Sequence, residues 1–290
     1  ITGTIETPFT VPTYTTGGAA ASFPSGVTIV KVPPGLTKCA VAPSGAPEPC
    51  WELADPTMTD IPDDFLKGNT KVTGTLKLGA AVKTIGKFAF YLTKLTSLDL
   101  SGATSLVSIG DNAFYKTEIT GTLMIPANVK TIGLYAFRLT KLTGLDLSQA
   151  TSLVTIGKRA FGEISNLEGT LVIPANVETI GEFAFYKTIL TSLDLSPAAS
   201  LVTIGKRAFG DTDITGTLVI PANVKTIEDY AFYQTKLADL DLYKAASLVA
   251  IGNRAFEKTN IKINSKIVTR YTVPTYAANS FPAGVTIVEG

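Results

Sequence analysis

Cys39 and Cys50, together with aspartates that recur along the chain at Asp99, Asp146, Asp194 and Asp241, are the side chains with the most readily named chemistry. The cysteines stand eleven residues apart in a stretch dense in Pro33, Pro34, Gly35, Pro43, Gly45, Pro47 and Pro49. Such a stretch has little structure of its own, and a disulfide would pin it, contributing on the order of 2–3 kcal/mol through chain entropy. A bridge implies an extracellular or otherwise oxidising compartment; two free thiols are the alternative. Trp51 adjoins Cys50 and is read as packing over the bridge, with ligand stacking as its alternative. Carboxylates could hold a cation, but calcium needs ligands about 2.3–2.6 Å from the ion. Only Asp239 and Asp241 place two of them on one face of one strand.

Catalytic classes find little support. The chain has no histidine, which removes imidazole bases and zinc sites built on imidazole. No glycine-rich phosphate loop follows a strand, and no GxSxG occurs. Neither an enzyme nor a cofactor or metal is expected. The formal net charge is +1, with lysines and arginines spread through the chain, so nucleic acid is not an expected partner. No apolar run approaches the ~18 residues that cross a bilayer, and no leader pattern opens the sequence, which starts at Ile1. It reads as a mature form or an excised segment that does not itself insert in a membrane.

The elements that position these side chains are repeats. A closing phenylalanine falls at Phe90, Phe114, Phe137, Phe161, Phe185, Phe209, Phe232 and Phe256, with steps of 23 or 24 residues, which is the period of a solenoid. Each unit carries a strand-type triplet such as Leu123-Met124-Ile125 or Leu145-Asp146-Leu147. Its period of two turns the flanking residues inward and the middle one outward. Triplets this short must pair in parallel, about 4.8 Å apart, and one long sheet is expected. The adjoining Ile-Gly-x-x-Ala-Phe suits one short helical or 3-10 turn on the opposite face. Its glycines at 86, 110, 133, 157, 181, 205 and 252 read as positions of positive φ, although Glu228 stands in the same column.

Stacking turns outward positions into columns. The aspartates at the strand centre fall on alternate rungs, about 9–10 Å apart, a spacing that avoids like-charge repulsion. A strip of small hydroxyls that includes Thr122, Thr170 and Thr217 runs beside them, ending at Asp239. These residues form a candidate binding face, with solvated strand threonines as the plainer reading. On the return side, Phe88, Tyr135, Arg159, Phe183, Arg207, Tyr230 and Arg254 alternate aromatic and cationic side chains. They read as a stabilising ladder or as a lateral contact surface.

The pattern L-x-I-P-x-x-V-x-x-I-G-x-x-A-F resembles the BspA-type leucine-rich repeat, found on surface proteins of bacteria and several protists. The resemblance covers roughly residues 61 to 265 and implies a leucine-rich repeat solenoid, with a parallel β-sheet on one face. The chain departs from the common pattern by alternating two unit types, one with Ile-Pro-Ala-Asn and one with Leu-Asp-Leu-Ser. The resemblance also implies a non-catalytic, extracellular or cell-surface module for adhesion or for recognition of a protein or glycan.

The chain divides into four segments: a divergent terminal repeat (1–30), a Pro/Gly-rich insertion with the cysteines (31–60), the array (61–265) and a second divergent repeat (266–290). Val-Pro-Thr-Tyr, Ser-Phe-Pro and Gly-Val-Thr-Ile-Val occur in both terminal segments, which puts Phe23 and Phe281 in equivalent places 258 residues apart. Matched caps are one explanation. Successive copies of a module are favoured, because caps on opposite ends have no reason to share sequence. The second function this implies is a building unit of a tandem-repeat filament or coat, whose partners are neighbouring copies of itself.

Overall fold

The computed structural model describes residues 4–8, 28–32, 36–39, 50–262, 266–269, 274–277 and 279–289. The chain winds as a succession of short edges with no α-helix or 3-10 helix among the described residues. The continuous sheet is built from the shortest strands. Asp60–Ile61, Thr84–Ile85, Ser108–Ile109 and their successors, down to Thr275–Tyr276, form ten parallel strands, each paired with the next. Their isoleucines point inward and are at most 3% exposed, while the residue before each faces out.

The Leu-x-Leu strands depart from the single long sheet expected of them. They pair in twos: Thr122–Met124 with Gly144–Asp146, Glu168–Val172 with Ile189–Asp194, and Thr215–Val219 with Lys236–Asp241. Thr73–Leu78 pairs with Lys94–Asp99 in the same way, within a four-stranded sheet that begins at the disulfide hairpin. The cause is chain length. Leu98, Leu145, Leu193 and Leu240 each follow their closing phenylalanine by eight residues, whereas Leu123, Leu171 and Leu218 follow by nine or ten. The surplus includes Gly121, Gly169 and Gly216, at φ of 74–85°, and the ladder shifts register at Gly169/Thr170 and Gly216/Thr217. Such a bulge re-aims its strand, which joins the coil ahead and stands off from the coil behind.

The return side is a chain of overlapping β-turns, and this replaces the helical or 3-10 turn expected there. In one coil Ala89, Tyr91 and Thr93 donate N–H to the carbonyls of Gly86, Phe88 and Phe90, while the alternate N–H groups of Phe88, Phe90 and Leu92 reach Asp111, Ala113 and Tyr115 of the next coil. Positive φ at the third residue of the first and last turns, 56° at Phe88 and 58° at Leu92, marks them as type II. A helix would spend those alternate donors within the coil and leave nothing to bind its neighbour. The positive φ therefore belongs to the column Phe88, Asn112, Tyr135, Arg159, Phe183, Arg207, Tyr230 and Arg254, not to the glycines two residues before it. Those glycines are needed for close approach: a Cβ on Gly157 would lie 2.7 Å from the carbonyl carbon and oxygen of Gly133. Glu228 keeps its place in that column with a carboxylate oxygen accepting the Lys206 N–H at 2.8 Å.

The core is a column of phenylalanines. From Phe90 to Phe281 successive rings stack with centroids 5.1–5.5 Å apart and planes within 9° of parallel. Phe65 meets Phe90 edge-on at the array's first coil. Buried hydroxyls line this column: Thr93, Thr117, Thr140, Thr188 and Thr212 donate to the carbonyl of the phenylalanine three residues back. Their polarity is thereby satisfied inside the core.

At the N-terminal edge Leu36–Lys38 lies antiparallel on Cys50–Leu53, which is itself parallel to Thr73–Leu78. Cys39 and Cys50 are disulfide-bonded. Trp51 is buried, with its indole N–H on the Thr73 carbonyl at 2.9 Å. It packs into the first coils and does not stand free for ligand stacking. Thr4–Pro8 and Thr28–Val32 form a separate parallel pair, whereas Phe23 lies outside the described residues.

Candidate functional site

The break between strand pairs shapes the surface. Where Lys94–Asp99 meets Thr122–Met124, the two strands are not laddered, and a groove of about 650 Å³ opens between them. An equivalent groove of about 610 Å³ lies between Gly144–Asp146 and Glu168–Val172, and a smaller one of about 250 Å³ lies beside Val219. Each is closed at one end by an amide that takes over from the missing backbone ladder. Asn128 donates to the Thr104 carbonyl, Asn176 to Thr151 and Asn223 to Ala199, at 2.5–2.6 Å.

The first groove brings Asp99 and Thr122 together with Met124, Pro126 and the half-buried Leu98. The second repeats this with Asp146, Thr170, Val172, Pro174 and Leu145. Met124 and Val172 are 52% and 41% exposed and form part of the apolar wall of their grooves. Ser196, Val219 and Pro221 line the third, which reaches neither Asp194 nor Thr217. Asp239 and Asp241 lie outside all three.

The aspartates also have a local task. Oδ1 of Asp99, Asp146 and Asp194 accepts the N–H of Ser101, Ser148 and Ser196 at 2.8–2.9 Å, and Asp241 accepts that of Tyr243 at 2.7 Å. Each ends its strand with an Asx turn, which explains the Leu-Asp-Leu-Ser signature better than avoidance of repulsion does. One carboxylate oxygen of each is thereby committed to the turn. Asp239 turns Oδ1 onto the Leu240 N–H, and among the described residues no cluster of three acidic, Cys or His groups could hold a metal ion.

Met124 and Val172, legible in the sequence as outward strand positions, and the Pro-Ala-Asn segments, legible only as markers of a unit type, are groove residues that sequence reasoning did not single out. The signal that could have found them is the unequal distance from phenylalanine to strand, eight residues against nine or ten.

On the return side the structure brings the aromatic and cationic column into mutual contact. The Arg159 guanidinium lies 4.4 Å from the Phe183 ring centroid and 6.0 Å from Tyr135. Arg207 lies 4.6 Å from Tyr230 and 6.0 Å from Phe183, and Arg254 is 5.9 Å from Tyr230. Phe88 sits edge-on to Tyr91 beneath Lys67. All but Arg254 are half-buried, so their faces are largely spent on one another. Nearby, a hydrogen bond from the Lys94 ammonium holds the Glu118 carboxyl below the usual carboxylate range, and Lys141 adds to the effect.

No helix among the described residues is long and apolar enough to cross a membrane. The profile described as "BspA type Leucine rich repeat region" matches residues 59–179 and 154–281, in six copies. No curated protein matches the chain. A crystal structure of a leucine-rich repeat protein from Bacteroides ovatus ATCC 8483 is similar, at 18% identity and a TM-score of 0.45, over 79% of this chain and 64% of that one. The chain thus spans less than two thirds of that protein's length.

Proposed function

This chain belongs to the BspA-type leucine-rich repeat family, and we propose that it is a non-catalytic recognition module that holds an extended protein segment along its row of grooves, outside the cell or at its surface. The observation that carries the reading is the recurrence of one groove at successive strand-pair boundaries. With ring-to-ring steps of 5.1–5.5 Å per coil, two coils set the grooves about 10–11 Å apart. A polyproline II segment advances about 3.1 Å per residue and repeats its side-chain direction every third residue, so every third residue meets an equivalent groove from the same side. Each of the two larger grooves offers an apolar wall and one carboxylate, which suits apolar side chains interspersed with Lys or Arg. No aromatic ring lines any of the three, so the stacking surface that sugars favour is missing and a protein segment fits better than a glycan. The Cys39–Cys50 bridge supports an oxidising compartment.

The test is peptide-library selection on the native protein and on Ala127→Trp and Ala175→Trp variants, which fill the grooves from exposed positions. Selected sequences with apolar and basic residues at three-residue spacing, losing at least about tenfold in affinity (~1.4 kcal/mol) on the variants, support the reading. Peptides indifferent to the variants, or binding confined to a glycan array, overturn it. A building unit of a tandem-repeat filament or coat is the second reading, favoured by the terminal coil that occurs twice in the chain.

A further inference from the structure

The two copies of the terminal coil pair their strands alike. Thr4–Pro8 runs parallel to Thr28–Val32 with Ile5 opposite Ile29, and Lys266–Thr269 runs parallel to Thr286–Glu289 with Ile267 opposite Ile287. These are matching residues: Gly26-Val27-Thr28-Ile29-Val30 is repeated as Gly284-Val285-Thr286-Ile287-Val288.

The C-terminal copy is built onto the array. Thr275–Tyr276 adds the last strand of the ten-stranded sheet by pairing with Ala250–Ile251, and the Phe281 ring stacks on Phe256 at 5.3 Å. Its far side is open: among the described residues, Thr286–Glu289 pairs with Lys266–Thr269 alone.

The N-terminal copy leads directly into an array. Three residues, 33–35, separate Thr28–Val32 from Leu36–Lys38, the antiparallel strand at the start of the array. A link that short reaches at most about 14 Å, which tethers the first strand of an array close to the coil that precedes it, although among the described residues Thr28–Val32 ladders with Thr4–Pro8 alone.

We propose that this coil is a joint: the open edge at Thr286–Glu289 receives a second copy of the array, beginning with its Cys39–Cys50 hairpin, so that modules repeating every 258 residues continue as one rod. Phe256 supports the joint from below, and Leu36–Lys38 of the succeeding copy covers it from above. This deepens the building-unit reading and owes nothing to the grooves.

A joined chain tests it, made of residues 1–290 followed directly by residues 33–290, so that the coil between two arrays occurs once and the repeat is 258 residues. A control carries a flexible Gly-Ser linker of about 20 residues in place of residues 33–35 of the second copy. Electron micrographs are expected to show single unbent rods of doubled length for the joined chain and hinged pairs for the control. Amides of Thr286–Glu289 at the joint are expected to exchange at least tenfold more slowly than in the single chain. Rods meeting at variable angles in both chains, with exchange unchanged, would overturn the joint. Straight rods from the joined chain, beside native material that forms no filament, would keep the joint and remove the filament role.

Discussion

The ring of Phe137 lies flat against that of Phe161, centroids 5.3 Å apart and planes 3° from parallel, and neither side chain is exposed. Each ring is thereby both floor and ceiling for its neighbours, and the coils are held at a common pitch by contact between identical groups. Loss of one ring leaves two neighbours facing a void that water cannot usefully fill.

Phe161→Ala is accordingly expected to cost about 3–5 kcal/mol, read as a fall in the denaturant midpoint. The same change at Phe65, which meets Phe90 only edge-on and is half-buried, should cost clearly less. Equal losses at the two positions would contradict the column as the organising core.

Gly157→Ala places a Cβ 2.7 Å from the Gly133 carbonyl and should cost about 1–3 kcal/mol, the range of overpacked sites. Leu92 offers the opposite case, with φ of 58° and a 39% exposed side chain. Leu92→Gly relieves a left-handed strain of roughly 1–2 kcal/mol and should be neutral or stabilising, whereas Leu92→Ile should destabilise. Thermal melts of the three variants decide between close approach and positive φ as the reason for each residue.

Arg207 touches Phe183, Tyr186, Tyr230 and Tyr233. Arg207→Ala should cost about 1–2 kcal/mol, from contacts worth ~0.5–1 kcal/mol each that do not add in full. Arg207→Lys should recover only part of this, because an ammonium cannot lie flat on two rings. Denaturation midpoints of the two variants check the order. If the column instead serves as a lateral contact surface, Arg207→Ala would leave stability unchanged and alter self-association.

Glu118 gives the array a pH dependence. Its folded pKa lies below its unfolded value because Lys94 hydrogen-bonds the ionised form. Its contribution is therefore full above about pH 5 and is lost as pH falls through the folded value, below the ordinary glutamate pKa of about 4.3. The stability difference between the native protein and Glu118→Gln should be flat from pH 7 to about pH 5 and shrink below about pH 4. A difference that grows on acidification would contradict the assignment.

Reduction of Cys39–Cys50 should loosen the N-terminal edge first. The loop is short, so the expected loss is about 2–3 kcal/mol, confined to Cys50–Leu53 and Thr73–Leu78 in hydrogen exchange. Uniform loosening of coils as distant as Phe209 would show the array to be more cooperative than its nearest-neighbour contacts imply.

The linear sequence carried the coil, its two-dozen-residue pitch, the buried phenylalanine column and most of the inward leucines, although Leu98, Leu145 and Leu193 are only half-buried. Each of these is a periodic burial pattern, and burial is the strongest physical force acting on a repeated segment. Ile-Gly-x-x-Ala-Phe was legible as a close-packed return but not as overlapping turns. Its apolar spacing fits both, and the choice rests on alternate N–H groups being claimed by the next coil, as that of Phe88 is by Asp111. The aspartates at 99 and 146 were legible as an outward column, yet their meeting with Thr122 and Thr170 across a groove was not. That meeting depends on one or two surplus residues at Gly121 and Gly169, which lift a strand from the coil behind and join it to the coil ahead. Period tells which side chains are buried together, whereas partner choice between neighbouring strands comes from backbone hydrogen bonds that exist only once the coils are stacked.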